Sequence, residues 1–313
     1  MHELALEARA LTKRFGKAVA LEGLDLQVHP GESVAILGAS AAGKSTALRL
    51  FAGLALASSG EVLIHGVQIA SRAGLEARGR VGFVPQEPAL YPWMTARELL
   101  EFGASLLGMD RRAVDGAVGD ALERVGLADA ADQAIAAFGM PWRQRLSIAQ
   151  ALLGAPELLL FDEPLEWLDE QGQDDALALL EQLRGAVAMV LATSDVDLAA
   201  ATCERIVLLD QGVALAAGPA AVLLDSVGPR AYVFELAPSD GLAQAGLVAR
   251  LASERWVRDV SSANGTLRVE VLDERRAERE LLPAIVATGI RVEAMRRVRP
   301  ELDEVIARRR ADR

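Results

Sequence analysis

The stretch Gly38-Ala39-Ser40-Ala41-Ala42-Gly43-Lys44-Ser45-Thr46 decides how the rest of this sequence is interpreted. It fits the pattern G-x-x-x-x-G-K-[ST], which is typical of a loop that wraps around phosphate groups. The apolar run 33–37 in front of it predicts a buried strand, and the run 47–52 behind it predicts a helix. A strand, a glycine-rich loop and a helix in this order are the context that the pattern requires. We therefore predict that residues 38–46 bind the phosphates of a nucleoside triphosphate.

Two side chains of this loop suit such a ligand. Lys44 would reach the β- and γ-phosphates, and the hydroxyl of Ser45 would ligate Mg²⁺. The glycines allow successive backbone N–H groups to curve round a phosphate, and the helix N-terminus adds a positive partial charge. The alternative is a chance glycine-rich turn, which the flanking strand and helix disfavour.

A pair of carboxylates, Asp162 and Glu163, follows a second strongly apolar segment at 158–161. Four consecutive apolar residues indicate a strand that is buried on both faces. Carboxylates at the end of such a strand are costly to bury unless they meet a cation or a hydrogen-bond donor. We predict that Asp162 lies in the Mg²⁺ shell and that Glu163 is the general base for the attacking water. Without the phosphate loop, an acidic turn facing solvent would be the simpler interpretation.

Length and composition narrow the class of protein. The chain has 313 residues, of which 51% are hydrophobic and 25% charged, as is typical of a globular protein with one or two domains. Its net charge of −11 disfavours a nucleic-acid partner. The single cysteine, Cys203, excludes an internal disulfide and is compatible with a reducing cytoplasm. We expect neither a membrane-spanning segment nor a secretory signal.

Together, the two motifs give residues 1 to about 228 a resemblance to the nucleotide-binding domains of ABC transporters. The resemblance implies an α/β fold of the P-loop NTPase type, with a mixed sheet and a helical subdomain at about 88–153. It implies Mg-ATP as the ligand, with Phe15 stacked on adenine and Gln86 acting as a catalytic and Mg²⁺-sensing residue.

The resemblance also implies partners. It predicts a second ATP-binding subunit, in a homodimer or a heterodimer, and a multi-spanning permease that holds the chain at the cytoplasmic face of the cell membrane. Residues 87–95 would receive the permease, with Tyr91 and Trp93 either as anchors or as ordinary packing residues.

The sequence departs from the family where the partner's nucleotide would bind. The family signature, of the type Leu-Ser-Gly-Gly-Gln, reads Phe138-Gly139-Met140-Pro141-Trp142 here, in front of a helix expected over 143–153. The serine hydroxyl is lost, and proline has no N–H to donate. Ser194 stands in place of the family's switch histidine, and Trp167 in place of a glycine, where it would occlude the dimer seam or fill space.

Two functions remain open from these departures. The resemblance favours the ATPase subunit of an ABC-2-like exporter. The alternative is a regulatory subunit that binds ATP, hydrolyses it poorly and works beside an active ATPase in a heterodimer. A soluble ATPase of this family that acts on nucleic acid or ribosomes is a third class, which the acidic charge disfavours.

Residues 229–313 predict a small accessory domain. Their strands and helices follow the order β-α-β-β-α-β, which is typical of a ferredoxin-like α+β unit. The segment resembles the C-terminal extension of ABC-2 exporter ATPases. The basic run Arg308-Arg309-Arg310 is either a solvated helix end or a contact to anionic lipid.

Overall fold

The computed structural model describes residues 4–225, 231–237, 241–263, 265–298 and 302–311. The chain divides into two compact units, Met1–Leu223 and Leu224–Arg313. The boundary predicted around residue 228 lies outside the described residues. No helix within the described ranges is both long and apolar enough to cross a bilayer.

The described residues of the first unit form ten strands and a series of helices. The strands are β1 (Leu6–Phe15), β2 (Ala18–Val28), β3 (Ser33–Leu37), β4 (Ser59–Ile64), β5 (Val67–Gln68), β6 (Val81–Val84), β7 (Leu158–Asp162), β8 (Ala188–Thr193), β9 (Arg205–Asp210) and β10 (Val213–Pro219). The helices are α1 (Lys44–Phe51), α2 (Gly74–Arg78), α3 (Ala96–Leu106), α4 (Arg111–Arg124), α5 (Met140–Leu152), α6 (Glu170–Leu183) and α7 (Val196–Thr202), followed by α8 (Ala220–Asp225) across the division.

A six-stranded sheet in the order β10-β9-β3-β8-β7-β6 forms the centre of this unit. Its strands are parallel except for β10, which pairs antiparallel with β9. Every residue of β3, β7 and β8 is buried, which explains their nearly continuous apolar sequences. In the register, Leu37 lies opposite Thr193 and Asp162 opposite Ala192. The carboxyl ends of β3, β7 and β8 therefore meet at one edge, where the phosphate loop and the acidic pair begin.

An antiparallel sheet in the order β2-β1-β4-β5 contributes to the same hydrophobic core. The polar run at 12–17 is typical of a turn, but it is mostly strand: β1 continues to Phe15, and the turn is only Gly16 and Lys17. Residues 12–15 are half-buried or exposed, so their polar side chains remain accessible to solvent in the strand.

The helical subdomain contains α3, α4 and α5, joined by two short 3₁₀ turns at Ala128–Ala130 and Ile135–Ala137. Thr95 caps α3 in a reciprocal arrangement with Glu98, which satisfies two backbone donors of the helix end. Helix α5 begins at Met140, three residues before the start predicted from the sequence. Pro141 lies in its first turn, where a missing N–H carries no penalty.

The second unit is a four-stranded antiparallel sheet with helices. Its elements are β11 (Ala231–Leu236), α9 (Gly241–Ala252), β12 (Val257–Ala263), β13 (Thr266–Val271), α10 (Glu274–Val286), β14 (Val292–Val298) and α11 (Leu302–Ala311). The strand order is β12-β13-β11-β14, and the chain order is the predicted β-α-β-β-α-β with a closing helix. Its core contains Tyr232, Phe234 and Trp256. The pair Asn264-Gly265 predicts a hairpin turn, but Asn264 lies outside the described residues, as does Pro300.

Candidate functional site

The phosphate loop runs from the end of β3 into α1, which begins at Lys44. Gly43 has φ of +106°, and a Cβ there would lie 2.4 Å from the carbonyl oxygen of Ala20. A Cβ at Gly38 would lie 2.4 Å from the carbonyl oxygen of Leu209. Larger side chains at these two positions would therefore displace the backbone that the loop packs against.

Inside the loop, the backbone N–H of Gly38 donates to the carbonyl of Thr193 at 3.2 Å. The N–H of Ala42 donates to the carbonyl of Ala39 at 3.1 Å. Thr46 lies in the first turn of α1. The loop is thus tied to the end of β8 while it closes a tight turn of its own.

The side chain of Lys44 is almost fully buried in this loop. Its Nζ donates to the carbonyl oxygens of Gly38 at 2.8 Å and Ala39 at 3.1 Å, and lies 3.0 Å from Oε1 of Glu163. These three contacts match the three donors of an ammonium group. The contacts fix the lysine at the centre of the loop.

Asp162 and Ser45 form the part of the site suited to Mg²⁺. The Ser45 hydroxyl donates to Oδ1 of Asp162 at 2.9 Å, and the carboxylate is 1% exposed. Burial raises the pKa of Asp162 above its ordinary value, although the hydrogen bond from Ser45 lowers it in part. A nearby cation would offset the cost of this buried charge. A hydroxyl and a carboxylate are hard oxygen ligands, so these residues fit Mg²⁺.

The rest of a Mg²⁺ coordination shell would come from other oxygens. Across the described residues, no cluster of three or more His, Cys, Asp or Glu side chains is arranged to hold a metal. Mg²⁺ is commonly held by one or two carboxylates together with substrate phosphates and water. The donor set here is of that kind.

Glu163 follows β7 in a left-handed backbone conformation, with φ of +44°. Its N–H donates to the carbonyl of Ala192 at 2.9 Å, which holds this strained turn against β8. Its Oε2 accepts a hydrogen bond of 3.2 Å from the backbone N–H of Ser194. The carboxylate therefore joins Lys44 to the end of β8.

Lys44, Ser45 and Glu163 open onto one cavity of about 340 Å³. The predicted residues that line it are Ser40, Ala41, Lys44, Ser45, Gln86 and Glu163. Among its other lining residues, the sequence indicated only Ser194, at the position expected for the switch histidine. The lining residues that the sequence did not indicate are Leu165, Glu166, Gln173, Thr193, Asp195 and Leu198. Thr193 and Asp195 could have been predicted to lie at the site. They stand at the end of β8 and just after it, and the carboxyl ends of neighbouring parallel strands form one edge of a sheet.

Phe15 is placed apart from these lining residues, at the end of β1. Its ring is 58% exposed, and Nζ of Lys13 lies 4.8 Å from the ring centroid. The aromatic face therefore already takes part in a cation–π contact.

Residues 138–142, where the family signature is expected, form an aromatic turn that leads into α5. Phe138 is buried and meets the ring of Trp142 edge to face, with centroids 5.1 Å apart. Gly139 caps α5 without a side-chain hydrogen bond. Beside the turn lies a cavity of about 400 Å³ lined by Gln133, Ala137, Gly139, Pro141, Trp142, Arg145 and Asp169. The buried Nε1 of Trp167 has no hydrogen-bond partner within the described structure.

An aromatic cluster lies on the surface near α3. The rings of Tyr91 and Trp93 are 5.2 Å apart, and those of Tyr91 and Phe102 are 6.0 Å apart. Trp93 is 73% exposed, which is unusual for an ordinary packing residue. A third cavity, of about 370 Å³ and with mainly apolar walls, lies between β6, α3 and α5.

A glycine loop around a buried lysine, with a serine and a carboxylate at the edge of a parallel sheet, defines a P-loop nucleotide-binding protein. The family model described as "ABC transporter" matches residues 21–166. The daunorubicin resistance ATP-binding protein DrrA2 of Streptomyces coeruleorubidus is 30% identical over 98% of this chain and 95% of its own. The chain therefore belongs to the ATP-binding proteins of ABC transporters.

Further relatives differ in their named direction of transport. The Nod factor export ATP-binding protein I of Paraburkholderia xenovorans is 34% identical over 73% of this chain and 75% of its own. Others are named for the import of aliphatic sulfonates. Among solved structures, the ATP-binding cassette MJ0796, a dimer bound to ADP and Pi, is 27% identical with a TM-score of 0.64, over 69% of this chain and 98% of its own.

Proposed function

We propose that this chain is the ATPase subunit of an ABC-2-like exporter and drives transport by a separate permease. The observation that carries the proposal is the convergence of Lys44, Ser45 and Glu163 on one cavity, with Asp162 hydrogen-bonded behind it. The export direction is supported by the relative named for export and by the resemblance of residues 229–313 to exporter extensions.

The chain's own residues can be given roles in hydrolysis. Lys44 binds the β- and γ-phosphates, and the loop 38–46 supplies backbone donors to the same groups. Ser45, Asp162 and Gln86 would hold Mg²⁺, which would neutralise charge on the phosphate oxygens. Glu163 accepts the proton of the attacking water, and its carboxylate is held in place by the contact with Lys44. Phe15 offers its exposed face to adenine.

The membrane partner is proposed from the surface of the helical subdomain. The exposed rings of Tyr91 and Trp93 and the adjoining apolar cavity suit a segment of a multi-spanning permease. Such docking would place the chain at the cytoplasmic face of the membrane. No nucleic-acid partner is proposed, since the chain is acidic.

A second candidate function is a regulatory subunit that binds ATP but turns it over slowly. The observation that favours it is the turn Phe138–Trp142, where Gly139 provides no side-chain donor and Pro141 no N–H. Ser194 offers its backbone N–H to Glu163 but has no imidazole. In a heterodimer, this chain's nucleotide would face an intact signature of an unlike subunit. In a homodimer, both composite sites would have the altered turn.

Steady-state ATP hydrolysis by the purified chain, with and without its co-expressed permease, tests these functions. If the chain is the exporter ATPase, it should turn over ATP slowly alone and faster in the complex. Glu163→Gln should abolish turnover in both states, whereas the exposed control Glu170→Gln should keep it. Binding of Mg-ATP with turnover only beside an unlike ATPase subunit would favour the regulatory function. Absence of Mg-ATP binding would contradict both.

A further inference from the structure

Glu166 lies in the loop between β7 and α6, three residues after Glu163. It lines the phosphate cavity together with Gln86, which follows β6. Strands β6 and β7 are parallel neighbours with Val84 opposite Phe161, so the loops after them lie side by side. Across this gap, Nε2 of Gln86 donates a hydrogen bond to Oε2 of Glu166 at 2.5 Å.

This contact fixes the orientation of the Gln86 amide. An amide nitrogen only donates and an amide oxygen only accepts, whereas a carboxylate only accepts. Glu166 therefore binds the nitrogen end of the amide, and the oxygen end is left as the group that can ligate a cation. Hard cations such as Mg²⁺ take amide oxygen and not amide nitrogen.

We propose that Glu166 is a positioning residue for Mg²⁺, acting through Gln86 and not as a ligand itself. The proposal rests on the proposed function, because it assumes that Gln86 meets Mg²⁺ bound with ATP. Partners that hold metal ligands in one orientation change metal affinity by about 10- to 100-fold when they are removed. Glu166 also carries a negative charge beside Glu163. The test must therefore distinguish the effect of this charge from the effect of the hydrogen bond to Gln86.

The chain offers a set of variants that makes this separation. Glu166→Ala removes both the acceptor and the charge, while Glu166→Gln removes the charge and keeps an acceptor oxygen. Gln86→Ala removes the group that Glu166 is proposed to orient. Glu170→Ala is the matched control, since Glu170 is an exposed carboxylate in the first turn of α6 that does not line the cavity.

The measurement is the equilibrium Kd of a fluorescent ATP analogue, taken once with Mg²⁺ and once with EDTA. The ratio of the Kd in EDTA to the Kd in Mg²⁺ reports the contribution of Mg²⁺ without any need for hydrolysis. We expect Glu166→Ala to reduce the ratio by about 10-fold or more. Glu166→Gln and Glu170→Ala should keep most of the wild-type ratio, and Glu166→Ala should add nothing in the Gln86→Ala background.

Three results would overturn the inference while leaving the proposed function in place. They are an unchanged ratio in Glu166→Ala, an equal loss in Glu166→Gln, and a full effect of Glu166→Ala in the Gln86→Ala background. A wild-type chain that binds no nucleotide under either condition would instead contradict the proposed function, and this inference with it.

Discussion

Nζ of Lys44 lies 3.0 Å from Oε1 of Glu163, so the phosphate-loop lysine and the proposed base form an ion pair. Their side chains are only 7% and 16% exposed, so solvent screens the pair little. The two residues are far apart in the sequence but follow β3 and β7, the two strands that flank β8 in the central sheet. In the proposed function, phosphate binding by Lys44 and water activation by Glu163 are therefore linked through one contact.

Replacing Lys44 by Met should weaken ATP binding strongly. The substitution removes an ammonium that would contact the phosphates, and hydrogen bonds to charged groups contribute about 1.5–3 kcal/mol. We expect the Kd for Mg-ATP to rise by about 10- to 100-fold in isothermal titration calorimetry. The control is Lys17→Met, in the turn between β1 and β2. An unchanged Kd in Lys44→Met would place the phosphates elsewhere.

Replacing Asp162 by Asn should stabilise the fold in the absence of Mg²⁺. Burial raises the pKa of Asp162, so the folded state holds this proton more tightly than the unfolded state does. For this group, the free energy of unfolding therefore falls as the pH rises from the ordinary Asp range through the raised value. Asn keeps an acceptor for Ser45 but carries no charge.

Urea unfolding at several pH values, in EDTA and with Mg-ATP, checks this prediction. Asp162→Asn should be more stable than the wild type in EDTA at neutral pH, and the difference should vanish at low pH. The same variant should lose the additional stability that Mg-ATP gives the wild type. The control Asp174→Asn, on the exposed face of α6, should behave as the wild type does. A variant that is less stable in EDTA at neutral pH would contradict the account.

The single cysteine should be unreactive in the folded protein. Cys203 is buried at the end of α7, and burial raises the pKa of its thiol to about 12. Thiol reagents attack the thiolate, which is scarce at such a pKa. We expect an aromatic disulfide reagent at pH 8 to label the chain only after denaturation. Rapid, stoichiometric labelling of the native chain would show that the end of α7 is open.

The exposed tryptophan should matter for the partner and not for the fold. Trp93 is 73% exposed, and substitutions at such surface positions usually change stability by less than about 0.5 kcal/mol. Trp93→Ala should therefore leave the thermal midpoint nearly unchanged and reduce co-purification with the permease. Leu54→Ala, at another exposed apolar residue, is the control. Equal recovery of the permease with both variants would remove Trp93 from the interface.

The central strands and the phosphate loop could be predicted because short-range patterns determine them. The all-apolar run before Gly38 forms β3, and the run before Asp162 forms β7. The boundaries were harder where local signals conflict with pairing. Polar residues up to Phe15 indicated a turn, yet pairing with β2 extends β1 to that residue. Helix α5 was expected from residue 143 but begins at Met140, because a helix accepts proline in its first turn.

The contacts inside the cavity could not be predicted in the same way. Gln86 and Glu166 are 80 residues apart, and only the pairing of β6 with β7 brings them together. The ion pair of Lys44 with Glu163 likewise depends on the left-handed turn at Glu163, which is rare for a residue other than glycine. The family resemblance suggested which residues belong to the site, while the partners of each side chain required the structure.

The most direct test of the central claim is the identity of the nucleotide bound after incubation with Mg-ATP. Wild-type chain and Glu163→Gln are each held with a limiting amount of labelled Mg-ATP, and the bound nucleotide is separated by chromatography. If Glu163 is the base, the wild type will convert its bound nucleotide to ADP. Glu163→Gln will bind the nucleotide equally well but retain it as ATP. Equal conversion by both proteins would show that Glu163 does not activate the water and would contradict the account.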